Sequence, residues 1–477
     1  MATDRPSPAS WEEALTLLRA LWEENAALRE RIAELEARLK QNSTNSSRPP
    51  SSDPPETPAP PSRPPTGRRR GAQPGHRPAQ RRVLPPEAVD QVVRHWPARC
   101  QHCRAALSDG PREVVGEPVR HQVTELPPVR AEVTEHRLYR VRCPSCGGET
   151  RACWPPEVPA GAFGPRLQAT VALLSGRYRL SRREVAAVCA DILGAPLSVG
   201  SVDALCQATA AALAEPVAEL TAAVRGAAVA HADETSWSRA GQRQWLWVVT
   251  TTLITVFTIT ASRGRGVIQR LLGEDFGGRL VSDRYAAYTW LPPEQRQVCW
   301  AHLRRDFLAL LNHGPSAAQL GLALLDLTDQ IFAAGHQTRA DPAAHPRLSE
   351  TIAPLQAELF ALLEAGQHQR AAKAAGVSRS LLQIWPALWT FVEVPGVEPT
   401  NNAAERALRP AVLWRKGSFG TQSDAGNQFV ARLLSVAATC RQQHRSLLDY
   451  LTAVCTAAHL GHPSPSLLPT PALSKAA

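Results

Sequence analysis

Lysine is nearly missing from this sequence: Lys40, Lys373, Lys416 and Lys475 are the only four in 477 residues. Arginine therefore carries almost all the positive charge of a chain with formal charge +10 and pI near 9.4. That surplus favours a polyanionic partner, although total charge says little about fold. With the abundant alanine, the arginine bias is equally readable as genomic composition. Long apolar runs are also missing, which excludes a bilayer span and a membrane partner. The start, "MATDRPSPASWEEA", has no signal-peptide pattern. Ten cysteines are too few for a disulfide scaffold at this length. A soluble, cytoplasmic protein of two or three domains is the expectation.

What is present begins with a heptad running unbroken from Trp11 to Leu39. Its a positions are Trp11, Leu18, Asn25, Ile32 and Leu39, and its d positions are Ala14, Leu21, Leu28 and Leu35. Leucine at d with one asparagine at a is the pattern of a parallel two-stranded coiled coil. Residues 1–40 are therefore expected to be a self-association helix making a homodimer or higher oligomer; the alternative is an amphipathic helix docking on its own chain. Residues 41–82 are dominated by proline, serine and arginine and read as a disordered linker. Its second half, 63–82, holds seven arginines and no acid. Arg68, Arg69 and Arg70 are its densest cluster and candidates for contact with DNA phosphates.

Residues 83–155 carry two CxxC knuckles, Cys100–Cys103 and Cys143–Cys146. Two such turns can complete a four-sulfur site for one structural zinc ion. The alternating stretch "EVTEHRLYRVRC" between them reads as a strand, and Cys153 is a possible substitute ligand. A redox role is the competing reading of a CxxC. Residues 160–225 are helical. Ser181 and Glu184 form a capping box, "GAP" breaks the helix, and Ser198 can cap the next, giving a helix-turn-helix-like, DNA-binding segment.

From residue 229 the period changes to alternation. "VAHADETSW", "QWLWVVTT" and "LITVFTITAS" read as three successive strands. "GVIQRLLGE" is a helix, "GRLVSD" a fourth strand, and "QRQVCWAHLRRDF" a fifth strand entering a helix, the opening of a mixed α/β sheet. Asp233 shares a face with Val229, His231 and Thr235, while Glu234 points the other way and reads as a bystander. Asp283 ends the fourth strand. If the first and fourth strands are neighbours, Asp233 and Asp283 converge at one sheet edge, where hard oxygen ligands suit magnesium or manganese. The third carboxylate is expected from Glu405 in "TNNAAERALRP", on a short helix capped by Asn401 and running to Pro410. A surface pair of Glu405 with Arg409 is the alternative.

The blocks "HADETSW", "SDRYAAY", "CWAHLRRDF" and "NNAAERALRP…RKGSFGTQSDAG" resemble those of the insertion sequence 66 family of bacterial transposases, in the same order. The "NSSRPPSSD" linker and the double CxxC module fit the same pattern. The resemblance spans nearly the whole chain to about residue 455. It implies a multidomain α+β protein whose catalytic domain, 226–435, is RNase H-like α/β. A helical insertion would occupy about 307–400, and a C-terminal helical tail 436–477. It implies a DDE transposase with Asp233, Asp283 and Glu405 as catalytic triad, holding two magnesium or manganese ions. Cys299 and His302 match a C-x-x-H signature, with His302 read as an active-site neighbour rather than a metal ligand. Trp300, Asn401, Arg406 and Arg409 are further expected neighbours, and Arg415 and Lys416 are candidate phosphate contacts. "RKGSFGTQ" departs from the commoner family wording, which blurs subgroup and target preference.

The implied activity is binding of terminal inverted repeats, two-metal DNA cleavage and transfer of 3′ ends into target DNA. Companion proteins encoded by the same element and a nucleoid-associated location would go with it. The rival readings are a zinc-dependent DNA-binding regulator and an RNase H-like nuclease that cuts without joining.

Overall fold

The computed structural model describes residues 10–39, 42, 83–107, 114–159, 161–340 and 345–469. The basic stretch 63–82, with Arg68, Arg69 and Arg70, and the last residues of the tail lie outside these. The chain divides into two units, Pro58–Arg130 and Met1–Thr57 with Ala131–Ala477. In the smaller unit the backbone of Leu84 is held at both its N–H and its C=O by the Gln122 amide, at 2.8 and 3.0 Å. A one-turn 3-10 segment, Pro86–Ala88, follows, and a tight turn carries Cys100 and Cys103.

The larger unit begins with helix α1 (Trp11–Leu39). Its heptad positions Trp11, Leu18, Leu21, Leu28, Ile32, Leu35 and Leu39 are all exposed. Strands β1 (Arg140–Arg142) and β2 (Glu149–Arg151) form a small antiparallel hairpin around the second cysteine pair. The alternating run before Cys143 is thus strand only over its last residues. Its partner among the described residues is three residues long and every side chain of the pair is exposed, so no buried face extends it.

Four helices follow: α2 (Pro165–Gly176), α3 (Arg182–Asp191), α4 (Val199–Ala212) and α5 (Ala214–Arg225). The capping box forms: Ser181 Oγ accepts the N–H of Glu184, whose carboxylate accepts the N–H of Ser181 at 2.7 Å. Ser198 caps α4 through the N–H of Ser201. Arg182 of α3 and Asp203 of α4 pair at 3.0 Å. The buried side of α4 is Val202, Cys206, Thr209 and Ala210; its exposed side is Val199, Gly200, Asp203, Ala204, Ala208 and Ala211, with no basic residue.

The alternating segment forms β3 (Val229–Arg239), β4 (Gln242–Thr250) and β5 (Thr255–Thr260). Helix α6 (Arg265–Leu272) leads to β6 (Arg279–Ser282) and β7 (Arg296–Val298). The sheet order is β5-β4-β3-β6-β7. The first three strands are antiparallel, and β6 and β7 run parallel to β3. β3 and β6 are neighbours, as convergence of the two aspartates requires.

Helix α7 (Trp300–Leu310) leaves the sheet and starts the inserted helices α8 (Pro315–Ala340), α9 (His345–Gly366), α10 (Ala372–Gln383) and α11 (Thr390–Glu393). They enclose their own core, in which Trp300, Trp389 and Phe307 are almost wholly buried. Its root is fastened to β7: the Thr390 hydroxyl donates to Arg296 C=O (2.6 Å), and Gln297 accepts the N–H of Phe391 (2.8 Å).

The chain returns through α12 (Asn402–Ser418), α13 (Asp424–Gln442) and α14 (Leu447–Leu460). Three sequence expectations need correction here. Helix α12 does not stop near Pro410 but runs through it for two more turns, since its Ala407, Leu408, Ala411 and Trp414 pack inward. The boundary at residue 435 falls inside α13. The helices of 160–225 and the tail share one continuous core with the sheet, from Ala169 through Trp247 to Leu467.

Helix α13 also covers the edge of the sheet. An uncovered edge strand leaves unpaired backbone groups. On β5, Thr439 Oγ1 accepts the N–H of Thr255 (3.0 Å) and donates to its C=O (3.1 Å), and Ser435 Oγ accepts the N–H of Phe257 (2.8 Å).

Candidate active site

The parallel register of β3 and β6 places the acids. His231 stands opposite Val281, so two residues further along Asp233 stands level with Asp283, just beyond the end of β6. Both are half-buried. Asp233 Oδ1 accepts the N–H of Glu234 at 2.9 Å, and Asp283 Oδ1 accepts the N–H of Tyr285 at 2.8 Å. Burial pushes the Asp233 carboxyl well above the usual carboxylate range; the charges of Glu234, Asp283 and Glu405 push the same way, and the N–H of Glu234 opposes them. Several acids drawn together in this way are stable as anions only with a cation among them.

Glu405 sits in the first turn of α12, and Asn401 sets that helix against β3. The Asn401 side chain is fully buried and makes no helix cap. Its Nδ2 donates to Ala232 C=O at 2.8 Å, its Oδ1 lies 3.3 Å from His231 Nδ1, and its backbone N–H donates to Cys299 Sγ at 3.2 Å. The asparagine expected as a cap therefore ties α12 to β3 and to the start of α7.

Glu405 Oε1 lies 3.8 Å from His302 Nδ1, and both atoms are buried without a hydrogen-bond partner. One ligand atom each from Cys299, His302 and Glu405 fall within 4.8 Å of one another. Burial pushes the Cys299 thiol up to about 11, and its sulfur accepts the N–H of Asn401, so it packs here as a buried thiol. Burial also lowers the pKa of His302, which keeps its ring neutral. The three carboxylates are hard oxygen donors whose charges reach one another, and one Glu405 oxygen is buried without a partner, so the residues present fit a divalent ion of the magnesium type.

The remaining expected neighbours divide. Arg406 is exposed, and its charge reaches His231. Arg409 is exposed. Trp300 belongs to the inserted core: its Nε1 donates to Leu388 C=O at 2.9 Å and its ring packs on Trp389. Arg415 turns inward, with Nη1 on Thr235 Oγ1 (3.1 Å) and on the hydroxyl and carbonyl of Ser236, leaving Lys416 exposed. The turn after α12 lies so close to β3 that a Cβ at Gly420 would meet Ser238 O at 2.1 Å, and its φ of +104° also demands glycine.

Glu234 keeps the direction alternation gives it, but alternation does not show its partners. It is buried and bonded to Arg263 and Tyr288. Only the paired tyrosines of "RYAAY", close after Asp283, hint at this in sequence.

The two knuckles, each taken by itself, are the same turn. Cys100 N–H donates to Ala105 C=O (2.9 Å) and Arg104 N–H to Cys100 C=O (2.9 Å). Cys143 N–H donates to Gly148 C=O (2.8 Å) and Gly147 N–H to Cys143 C=O (2.9 Å). Arg104 and Gly147 take the same left-handed conformation, at φ 62° and 72°. In both, backbone N–H groups two and three residues on point at the first sulfur and lower its pKa, as a metal-binding thiolate requires.

Residues 160–429, more than half of the chain, match the family described as "Transposase IS66 family". The chain belongs to this family. Residues 97–147, holding both knuckles, match the zinc-finger binding domain of transposase IS66, and residues 3–82 match a family of unknown function. Two proteins of Sinorhizobium fredii are similar. Uncharacterized protein y4qI is 28% identical over 244 residues, 46% of this chain and 45% of that protein. Uncharacterized protein y4hP is 27% identical over 393 residues, 74% of this chain and 69% of that protein. The matched stretch thus spans under half the length of the first relative. The chain thus carries a zinc-finger-type module, and its described residues form both helix and sheet. No helix among its described residues is long and apolar enough to cross a membrane.

Proposed function

We propose that this IS66 transposase cuts DNA at terminal inverted repeats and joins the 3′ ends to target DNA, using Asp233, Asp283 and Glu405 on an RNase H-like sheet. One observation carries the reading: the parallel β3–β6 register sets Asp233 and Asp283 level, and α12 brings Glu405 beside His302. When bound, two magnesium or manganese ions would activate the attacking water or 3′-hydroxyl and stabilise the leaving oxygen. Asp233 and Asp283 would hold them from the sheet, and Glu405 from the helix. Asn401 keeps that helix in register, and His302 faces the third carboxylate from α7.

The other parts supply DNA and partner. Cys100, Cys103, Cys143 and Cys146 would share one zinc ion, supported by the matched turn geometry and by a zinc-finger match covering both pairs. Arg68, Arg69, Arg70 and exposed Lys416 are the proposed phosphate contacts. The exposed apolar stripe of α1 supports a parallel coiled coil pairing two protomers, so that two element ends are processed together. Action on chromosomal DNA places the protein in the cytoplasm at the nucleoid, with companion proteins of the element as further partners.

The test is a labelled terminal repeat incubated with the full chain, magnesium and a plasmid. Joined products are expected. Cut ends that never join would replace the transposase reading with a nuclease. Shifted but uncut repeats would leave a DNA-binding regulator.

A further inference from the structure

Glu234 follows Asp233 on β3 and points to the opposite face of the sheet. Its side chain is 1% exposed. A carboxylate that deep needs partners, and it has three donors. Arg263 Nε and Nη2 both donate to Oε1, at 3.0 and 2.7 Å, and the Tyr288 hydroxyl donates to Oε2 at 2.6 Å. Tyr288 is itself fully buried, edge-on to Trp247 and Tyr285.

The contacts continue to the second aspartate. The Arg263 guanidinium lies 3.9 Å from the ring centre of Tyr285 and 4.6 Å from that of Trp245, an arrangement that holds both charge and plane. The Tyr285 hydroxyl donates to Arg263 C=O at 3.1 Å. Tyr285 N–H is the donor on Asp283 Oδ1, as Glu234 N–H is on Asp233 Oδ1. A chain of contacts therefore runs from Asp233 through Glu234, Arg263 and Tyr285 to Asp283. Tyr288 adds a second hold on Glu234.

We propose that Glu234, Arg263, Tyr285 and Tyr288 form a positioning unit that fixes Asp283 against Asp233 for divalent-ion binding. Glu234 ligates nothing itself. This rests on the reading of Asp233 and Asp283 as metal ligands. β6 is only four residues long, and Asp283 lies beyond its last ladder pair, so the sheet alone does not hold that carboxylate. The unit does so by hydrogen bonds to Asp283 and to Glu234, whose side chain leaves β3 on the face opposite Asp233. Hydrogen-bonded supports behind metal ligands commonly set affinity by about 10–100-fold.

Tyr288→Phe removes one donor and keeps the ring. Arg263→Lys keeps the charge and loses the paired donors and the stacking. Manganese binding to the full chain, read from the free-ion signal in electron paramagnetic resonance, is measured beside the magnesium titration of cleavage. Each variant is expected to melt as a folded protein and to bind manganese about tenfold more weakly. The magnesium midpoint should shift by a similar factor. The double variant should lose less than the product of the two, because both act through Glu234. Folded variants that bind manganese as the native protein does overturn the inference, as does lowered thermal stability with unshifted metal binding. If the native protein and Asp233→Ala/Asp283→Ala bind manganese alike, the metal reading itself falls and the inference with it.

Discussion

The sheet face bearing the acids and the core of the inserted helices meet at the β7–α7 junction, yet they are stabilised differently. The insertion buries Trp300 and Trp389, and ring contacts run from Trp300 through Trp389 and the half-buried Trp385 to Phe360 at the surface, with ring centres 5.2 to 5.5 Å apart. The sheet buries Glu234, His231 and Asn401 and draws three more acids to its edge. Apolar burial supports a fold directly, whereas buried charge costs stability unless paired. One region therefore reads as scaffold and the other as the proposed site, whose buried charge a scaffold would not need.

That contrast can be broken by substitution. The largest loss of stability is expected in the scaffold. Trp389→Ala should cost about 3–5 kcal/mol, lowering the denaturation midpoint and taking DNA cleavage with it. A drop below about 1 kcal/mol would mean that the aromatic cluster does not carry the insertion. Asn401→Ala should separate the two regions. It frees Ala232 C=O and His231 and loosens the α12–β3 contact, for about 1–3 kcal/mol of stability. Cleavage should fall more than unfolding explains, because Glu405 shifts with its helix. Equal losses of stability and rate would assign Asn401 to the scaffold. Smallest is Thr439→Val at the β5 edge, where about 1–2 kcal/mol of hydrogen bonding is lost and the metal dependence of cleavage should not move. A shifted magnesium midpoint would show that the edge reaches the site.

Sequence made the local parts legible. Alternation in "VAHADETSW" and "QWLWVVTT" gives β3 and β4, the Ser181–Glu184 capping box forms, and Asp283 follows the end of β6, whereas Asp233, expected at a strand end, lies inside β3 because the strand continues to Arg239. Partners set by distant chain were hidden. Asn401 looks like a cap because caps are local, but its bonds go to β3, about 170 positions away. Pro410 looks like a stop because proline removes an N–H, yet packing of Ala411 and Trp414 carries α12 past it. Glu234 looked idle because alternation gives a side chain its direction and not its company. Arg415 looked free for phosphate because a basic loop in sequence does not show that Thr235 and Ser236 face it.

The central claim is that Asp233, Asp283 and Glu405 together hold the catalytic ions. Its most direct measurement is cleavage of a labelled terminal repeat with magnesium by Asp233→Ala, Asp283→Ala and Glu405→Ala, with repeat binding and melting followed in parallel. Each variant should fold, bind the repeat and lose cutting by at least about a thousandfold, the scale of losing a main catalytic group. Native cutting in any one of the three, with the protein folded and the repeat bound, would contradict it.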